Sequence, residues 1–205
     1  TVLTHDHPDP DALASAWCLS LLAQKVAGTR SRIVYGGIVG RRENRTMLDS
    51  LEVPASPIRP GDLDAPCVAL VDTQPPFRNN RFPFPKRRRP DIVVDHHPKS
   101  PDTASRLAVI DTAVGATTTL LVEALAVAGV QPSRRLATAV VYGIGSETQN
   151  LGRETSARDA AAYTTVLPRA NLNALWRIAN PRRPASFIEN LARGIRGAFV
   201  WRDVI

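Results

Sequence analysis

Short apolar runs alternate with longer stretches in which apolar residues recur every three or four positions. Thr1 to Thr4 reads as a strand, and His5 to Asp11 as a loop whose prolines bar a helix inside it, leaving Asp11 where an N-cap belongs. Ala12 to Ala27 reads as a helix through Leu13, Trp17, Leu21 and Leu22, and Gly28 stops it. Arg32 to Tyr35 is a second strand ended by Gly36-Gly37. Arg41 to Leu51 is a second helix with Met47, Leu48 and Leu51 facing inward. Val53 to Pro66 is a connection rich in Pro and Asp, and Cys67 to Val71 a third strand. Gln74 to Pro90 holds Pro75, Pro76, Pro83, Pro85 and Pro90 and is expected to be an exposed loop. Asp91 to Val94 and Leu107 to Ile110 are the fourth and fifth strands. Gly115–Val127, Arg134–Tyr142, Ser156–Leu167, Leu172–Ile178 and Ser186–Ile195 are expected to be helical, with Ser146-Glu147-Thr148 in a loop.

Strands alternating with amphipathic helices predict an α/β fold. The expectation is a doubly wound, mainly parallel five-stranded sheet with helices on both faces, followed by a helical C-terminal segment. Residues 1–150 would form the core, and residues 151–205 a helical extension leading to a linker. The Pro-rich run Asn180 to Pro184 is the candidate hinge. The chain opens on Thr rather than Met and closes on the apolar, strand-like stretch Phe199 to Ile205, so it is expected to be a fragment of a longer protein.

Three of the strands end alike. The first runs into His5, with Asp9 and Asp11 after it. The third ends at Asp72 and the fourth at Asp95-His96-His97. A buried strand gains no packing from such residues, and the carboxyl ends of parallel strands share one edge, where open α/β sheets hold ligands. Like charges gathered there repel unless cations neutralise them. Asp9 and Asp11, two apart on a proline-braced loop, could serve two neighbouring ions, with Asp72 as the carboxylate shared between them. A donor set of oxygen and imidazole without thiolate favours Mn²⁺, with Mg²⁺, Co²⁺ or Zn²⁺ also possible. Taken singly, Asp11 would be a helix cap, Asp72 a loop-initiating residue and His5 a core or surface histidine. Their joint placement is what points to a metal site.

Composition adds a partner class. The chain of 205 residues carries a formal charge of +7 and a pI of about 10.2, which suits an anionic partner such as a nucleotide or nucleic acid. Only three of its 26 basic residues are lysine, so genome composition explains the balance equally well. Lys99, Arg41 and Arg42, just after strand ends, are placed to touch phosphate, whereas Lys86 to Arg89 reads as a solvated loop. The two cysteines, Cys18 and Cys67, have apolar neighbours and no CxxC partner, so buried free thiols are expected, consistent with a cytoplasmic setting. No transmembrane span or signal peptide is expected.

The stretch His5 to Ala12, Val71-Asp72-Thr73, Asp95-His96-His97 and Tyr142 to Thr148 resemble, in order, the four motifs of the DHH phosphoesterases. The resemblance is to the RecJ-like, oligoribonuclease and nucleotide-phosphatase branch, over about residues 1 to 150. It implies two metal ions. His5, Asp9 and Asp72 would hold one; Asp11, Asp72, His96 and the acid of the fourth motif would hold the other. His97 would contact the phosphate or aid the leaving group, and Asp95 would orient a histidine. A water bridging the ions would be the nucleophile. The sequence departs from the pattern at Glu147, where the family usually has Asp. Ligation by Glu147 is favoured because Ser146 and Thr148 keep the local frame. Members of the family usually carry a second, substrate-clamping domain, expected beyond Ile205.

The expected activity is hydrolysis of phosphodiester or phosphomonoester bonds. Candidate substrates are short single-stranded oligonucleotides, nucleotides such as 3′-phosphoadenosine 5′-phosphate, and cyclic dinucleotides. The alternatives are an inorganic pyrophosphatase or polyphosphatase and a degenerate, non-catalytic nucleotide-binding module. A homodimer is possible.

Overall fold

The computed structural model describes residues 1–84, 88–199 and 202. Lys86 and Arg87 of the basic run, and most of the apolar C-terminal stretch, lie outside the described residues. The sheet has six strands: β1 (Val2–Leu3), β2 (Ile33–Tyr35), β3 (Ala55–Pro57), β4 (Ala69–Val71), β5 (Ile92–Asp95) and β6 (Leu107–Ile110). All pair in parallel, in the order β3-β2-β1-β4-β5-β6. The sequence yields five of them. The sixth, β3, hides in the Pro-rich connection after Val53. It is an edge strand of three residues whose third is Pro57, and proline is tolerated only where a ladder donor is not needed.

The chain leaves β1 toward β2 and β3, then returns to lay β4, β5 and β6 on the other side. The direction reverses between β1 and β4, and that switch point is where a crevice opens at the carboxyl edge. Register fixes what meets there. Leu3 lies opposite Leu70 and Val71 opposite Val94, so continuing the register two residues past Leu3 and one past Val71 and Val94 places His5, Asp72 and Asp95 at one level.

The α-helices are α1 (Pro10–Ala27), α2 (Arg42–Leu51), α3 (Thr117–Val127), α4 (Arg134–Glu147), α5 (Ala157–Val166), α6 (Leu172–Ala179) and α7 (Ala185–Arg196). The first six bury side chains in one core with Val2, Ile33, Ala69, Val71 and Val94 of the sheet. The opposite face buries Leu3, Val34, Val68, Leu70, Phe82 and Val93. Its cover is thinner than the expected helical layer, with Ile58, Ala65, Phe84 and Leu63 from a 3-10 turn at Asp62–Asp64. The segment expected to be an exposed loop therefore contributes to a core: Phe82 and Gln74 are both buried. Cys18 is buried as expected, but Cys67 is exposed, at the rim where β4 begins.

Two helix boundaries bear on the crevice. Helix α1 starts at Pro10, not Ala12, because proline fits the first helical turn, and the N-cap is Asp9, which accepts the Ala12 N–H at 2.9 Å. Helix α4 runs on to Glu147 instead of stopping near Tyr142, so Glu147 is the last residue of a helix and not part of a loop. Helices α1 and α4 cross closely at Gly143, where a Cβ would stand 3.0 Å from that of Ala14.

Helix α3 begins without a side-chain cap of its own. Its approach is held by Asp159, a fully buried carboxylate in the first turn of α5. Asp159 accepts the Gly115 N–H (2.8 Å), the Thr119 hydroxyl (2.6 Å) and the N–H and hydroxyl of Ser156 (2.8 and 2.6 Å). Asp159→Ala leaves these donors unpaired and is expected to lower stability by about 2–4 kcal/mol, read from urea unfolding as a lower midpoint at unchanged slope.

Candidate metal centre

Asp72 sits at the end of β4, 3% exposed and with a left-handed φ of 58°. That conformation is uncommon for a residue with a Cβ and is typical of functional turns. It sets the carboxylate between two imidazoles. His5 Nε2 is 3.5 Å from one oxygen and His96 Nε2 is 3.6 Å from the other. Asp9 completes the first side, 3.7 Å from His5 Nε2, and His97 Nδ1 lies 3.9 Å from Asp72 on the second. Donor atoms of His5, Asp9 and Asp72, and of Asp72, His96 and His97, fall within 4.8 Å of one another.

These gaps are too long for hydrogen bonds and match the spacing of ligands that share a cation at about 2.1 Å. The proton placement agrees. His5 Nδ1 faces the Asp6 carbonyl at 2.8 Å, and a carbonyl only accepts, so Nδ1 carries the hydrogen and Nε2 is the coordinating atom. His96 Nε2 is buried with no hydrogen-bond partner among the described residues, an orphan that a cation would satisfy. Burial pulls the His5 pKa down, but the carboxylates of Asp72 and Asp9 outweigh it and push it up to about 11. Asp9 moves the opposite way: burial raises its pKa, and the His5 imidazole beside it more than reverses that.

Asp11 is fully buried beside this cluster. Its two oxygens accept the backbone N–H groups of Thr117 (2.7 Å) and Thr118 (2.8 Å), so it caps α3 rather than the helix it sits in. Burial, then the charges of Asp72 and Asp9, raise its pKa well above the usual carboxylate range. The Thr117 hydroxyl donates to Asp72 at 2.8 Å, joining α3 to the same cluster.

Asp95 is fully buried and accepts from His97, both from its N–H (3.3 Å) and from Nδ1 (2.9 Å). The bond to Asp95 raises the His97 pKa, against a smaller opposing effect of burial. The other Asp95 oxygen is held by Gln74, a residue that sequence reasoning missed. Its amide donates to Asp95 at 2.7 Å and to the Pro98 carbonyl at 3.2 Å. Its oxygen accepts from the Thr103 hydroxyl (2.6 Å) and the Ser100 N–H (2.9 Å). The only signal for it was its place two residues after Asp72.

Glu147 faces the cluster from the end of α4. Burial raises its pKa, with Asp9 and Asp72 adding to the shift and His96 and His97 opposing it. A cleft of about 510 Å³ opens beside it, lined by His5, Asp9 and Glu147 on the acidic side and by Arg41, Asn44 and Arg153 elsewhere. His7 also lines it, packed on Gly37, whose φ of 69° and closeness to the imidazole leave no room for a Cβ. Arg42 lines a separate groove with Arg183 and Phe187, and Lys99 is exposed and borders neither cleft. Among the described residues no helix is long and apolar enough to cross a membrane.

Known proteins give this arrangement its context. The DHH family, N-terminal domain, matches residues 1–144. The chain is 36% identical over 195 residues to the uncharacterized protein MJ1633 of Methanocaldococcus jannaschii, covering 95% of the chain but only 40% of that protein. The fold is similar to an exopolyphosphatase-related protein from Bacteroides fragilis (TM-score 0.73, 14% identity, 98% of this chain and 62% of that one). It is also similar to a Methanococcus jannaschii protein described as a family II inorganic pyrophosphatase (TM-score 0.61, 20% identity, 82% of this chain and 54% of that one). The match spans the stretch from β1 to α4 and takes in every residue of the cluster except Glu147; the chain belongs to the DHH family.

Proposed function

We propose that the protein is a metal-dependent hydrolase that cleaves phosphoester bonds of short oligonucleotides, nucleotides or cyclic dinucleotides with two divalent ions, Mn²⁺ first among them. One observation carries this reading: His5, Asp9, Asp72 and His96 converge with coordinating atoms 3.5–3.7 Å apart, and His96 Nε2 is an orphan unless a cation meets it. His5, Asp9 and Asp72 would hold one ion. Asp72 and His96, with Asp11 and Glu147 completing the set, would hold the other. Bound there, such a pair stabilises charge on phosphoryl oxygens and lowers the pKa of water.

The chain's own groups divide the remaining work. His97, half-exposed and with a raised pKa, keeps a proton for a phosphate oxygen or a departing alkoxide. Asp95 fixes its ring, and Gln74 fixes Asp95. A second reading is hydrolysis of pyrophosphate or polyphosphate, which the descriptions of the two similar structures favour. The same donors would serve it, so the bond cleaved is decided by a substrate panel of pyrophosphate, short RNA and cyclic dinucleotides.

Full-length protein is expected to hydrolyse a generic phosphodiester only with added metal. Asp72→Ala, which removes the shared ligand, should cost on the order of 10³-fold or more in turnover and abolish binding of both ions, measured as metal content after gel filtration. Unchanged metal content would sink the assignment. Gln74→Leu should slow turnover roughly 10–100-fold while both ions are retained, because it frees Asp95 and His97 without touching a ligand. The sign of the pH effect follows from His5. Its imidazole keeps its proton up to about pH 11 without metal, and only the neutral ring coordinates. Binding near neutral pH must displace that proton, so apparent affinity rises with pH, about tenfold per unit for one proton. Calorimetry in buffers of different ionisation enthalpy checks this, and zero proton release would contradict it.

A further inference from the structure

The cleft beside the acidic cluster has a second wall of opposite character. It is built from the start of α2, where Gly40, Arg41 and Asn44 line the cavity, and from Arg153 after α4. The N-cap of α2 is Arg41, whose side chain makes no cap hydrogen bond, and among the described residues no other side chain caps the first turn, so its backbone N–H groups keep their partial positive charge. Asn44, in that first turn, is 5% exposed and lines the cleft. Its amide makes no hydrogen bond with any described residue and is not sealed from solvent, so it is open to a ligand in the cleft. Arg41 likewise has no ion-pair partner among the described residues. Among the described residues the Arg153 side chain pairs only with Glu154, at 4.0 Å.

Arg153 reaches this wall through an unusual turn. Gln149, Asn150 and Leu151 all adopt left-handed φ, between 48° and 65°. Bonds of 2.9 Å from the Gly152 and Arg153 N–H groups to the Thr148 carbonyl close the turn and bring Arg153 back beside Glu147.

We propose that Asn44, the amides that open α2, Arg41 and Arg153 form an anion subsite for a second phosphate of the substrate, the one that is not hydrolysed. The donors suit a tetrahedral oxyanion: backbone N–H groups at a helix start, a carboxamide, and guanidinium groups that can bind in bidentate fashion. The inference rests on the hydrolase reading for which phosphate reacts, but the subsite itself can be tested without turnover. It implies that substrates with two phosphates outrank single-phosphate esters of the same size.

Inorganic phosphate is titrated into the full-length protein, with and without Mg²⁺, and followed by the Asn44 side-chain amide signal in proton–nitrogen NMR. A saturable shift is expected, with affinity roughly tenfold weaker in Arg153→Ala. An unmoved Asn44 signal, or the same affinity in Arg153→Ala, overturns the proposal. In the second arm a 5′-phosphorylated dinucleotide is compared with its 5′-hydroxyl counterpart under Mn²⁺. The phosphorylated form is expected to be cleaved roughly tenfold or more efficiently in kcat/KM, a ratio that falls to about one in Arg153→Ala and in Asn44→Asp. Equal cleavage by the unmodified protein overturns the proposal. If neither dinucleotide is cleaved while the Asn44 signal still moves, the subsite stands and the hydrolase reading falls.

Discussion

Asp11 is fully buried one residue into α1, and both its oxygens are taken by the first two amides of α3, 106 and 107 residues further on. A carboxylate in that position costs desolvation energy, and Asp72 and Asp9 beside it add repulsion. Helix α3 supplies the compensation that the protein itself can offer: two N–H donors and the positive end of a helix dipole. The same residue, Thr117, donates its hydroxyl to Asp72. The electrostatic need of one acid thus fixes where α3 starts, and α3 in turn steadies the central acid of the cluster. Asp159 secures the approach to that helix start from the far side.

Much of this was legible in the sequence because it lies at strand ends. A run such as Val93-Val94 can only be a buried strand, and the polar residues after it have no packing reason to be there. Five strands, the α/β class and the gathering of His5, Asp9, Asp72 and His96 follow from that reasoning. The sixth strand escaped because Pro57 masks it and its edge position makes the proline harmless. The start of α1 was misplaced for a related reason. In the sequence Pro10 reads as a barrier to a helix, whereas at the first turn it is a helix start, and that shifts the cap from Asp11 to Asp9.

What the sequence could not carry is contact between distant segments. Asp11 reads locally as the cap of its own helix, and only the fold reveals that it caps another. Gln74 reads as a loop residue among prolines, yet it is buried and joins Asp95 to the backbone at Pro98 and Ser100. Arg42 and Lys99, chosen for nearness to strand ends, border no part of the cleft, while Arg153, far along the chain, does.

Glu147 stands where the family pattern has a shorter acid, and its placement follows from the end of α4. Helix α4 continues to Glu147 and then turns sharply through left-handed residues, so this side chain leaves from a helix end rather than from a loop. Its pKa responds to Asp9 and Asp72 on one hand and to His96 and His97 on the other, which puts the carboxylate within the field of both halves of the cluster. The turn that follows brings Arg153 to the same cleft. One short segment thus presents an acid and a guanidinium to the same cleft. Changing its backbone would disturb both together.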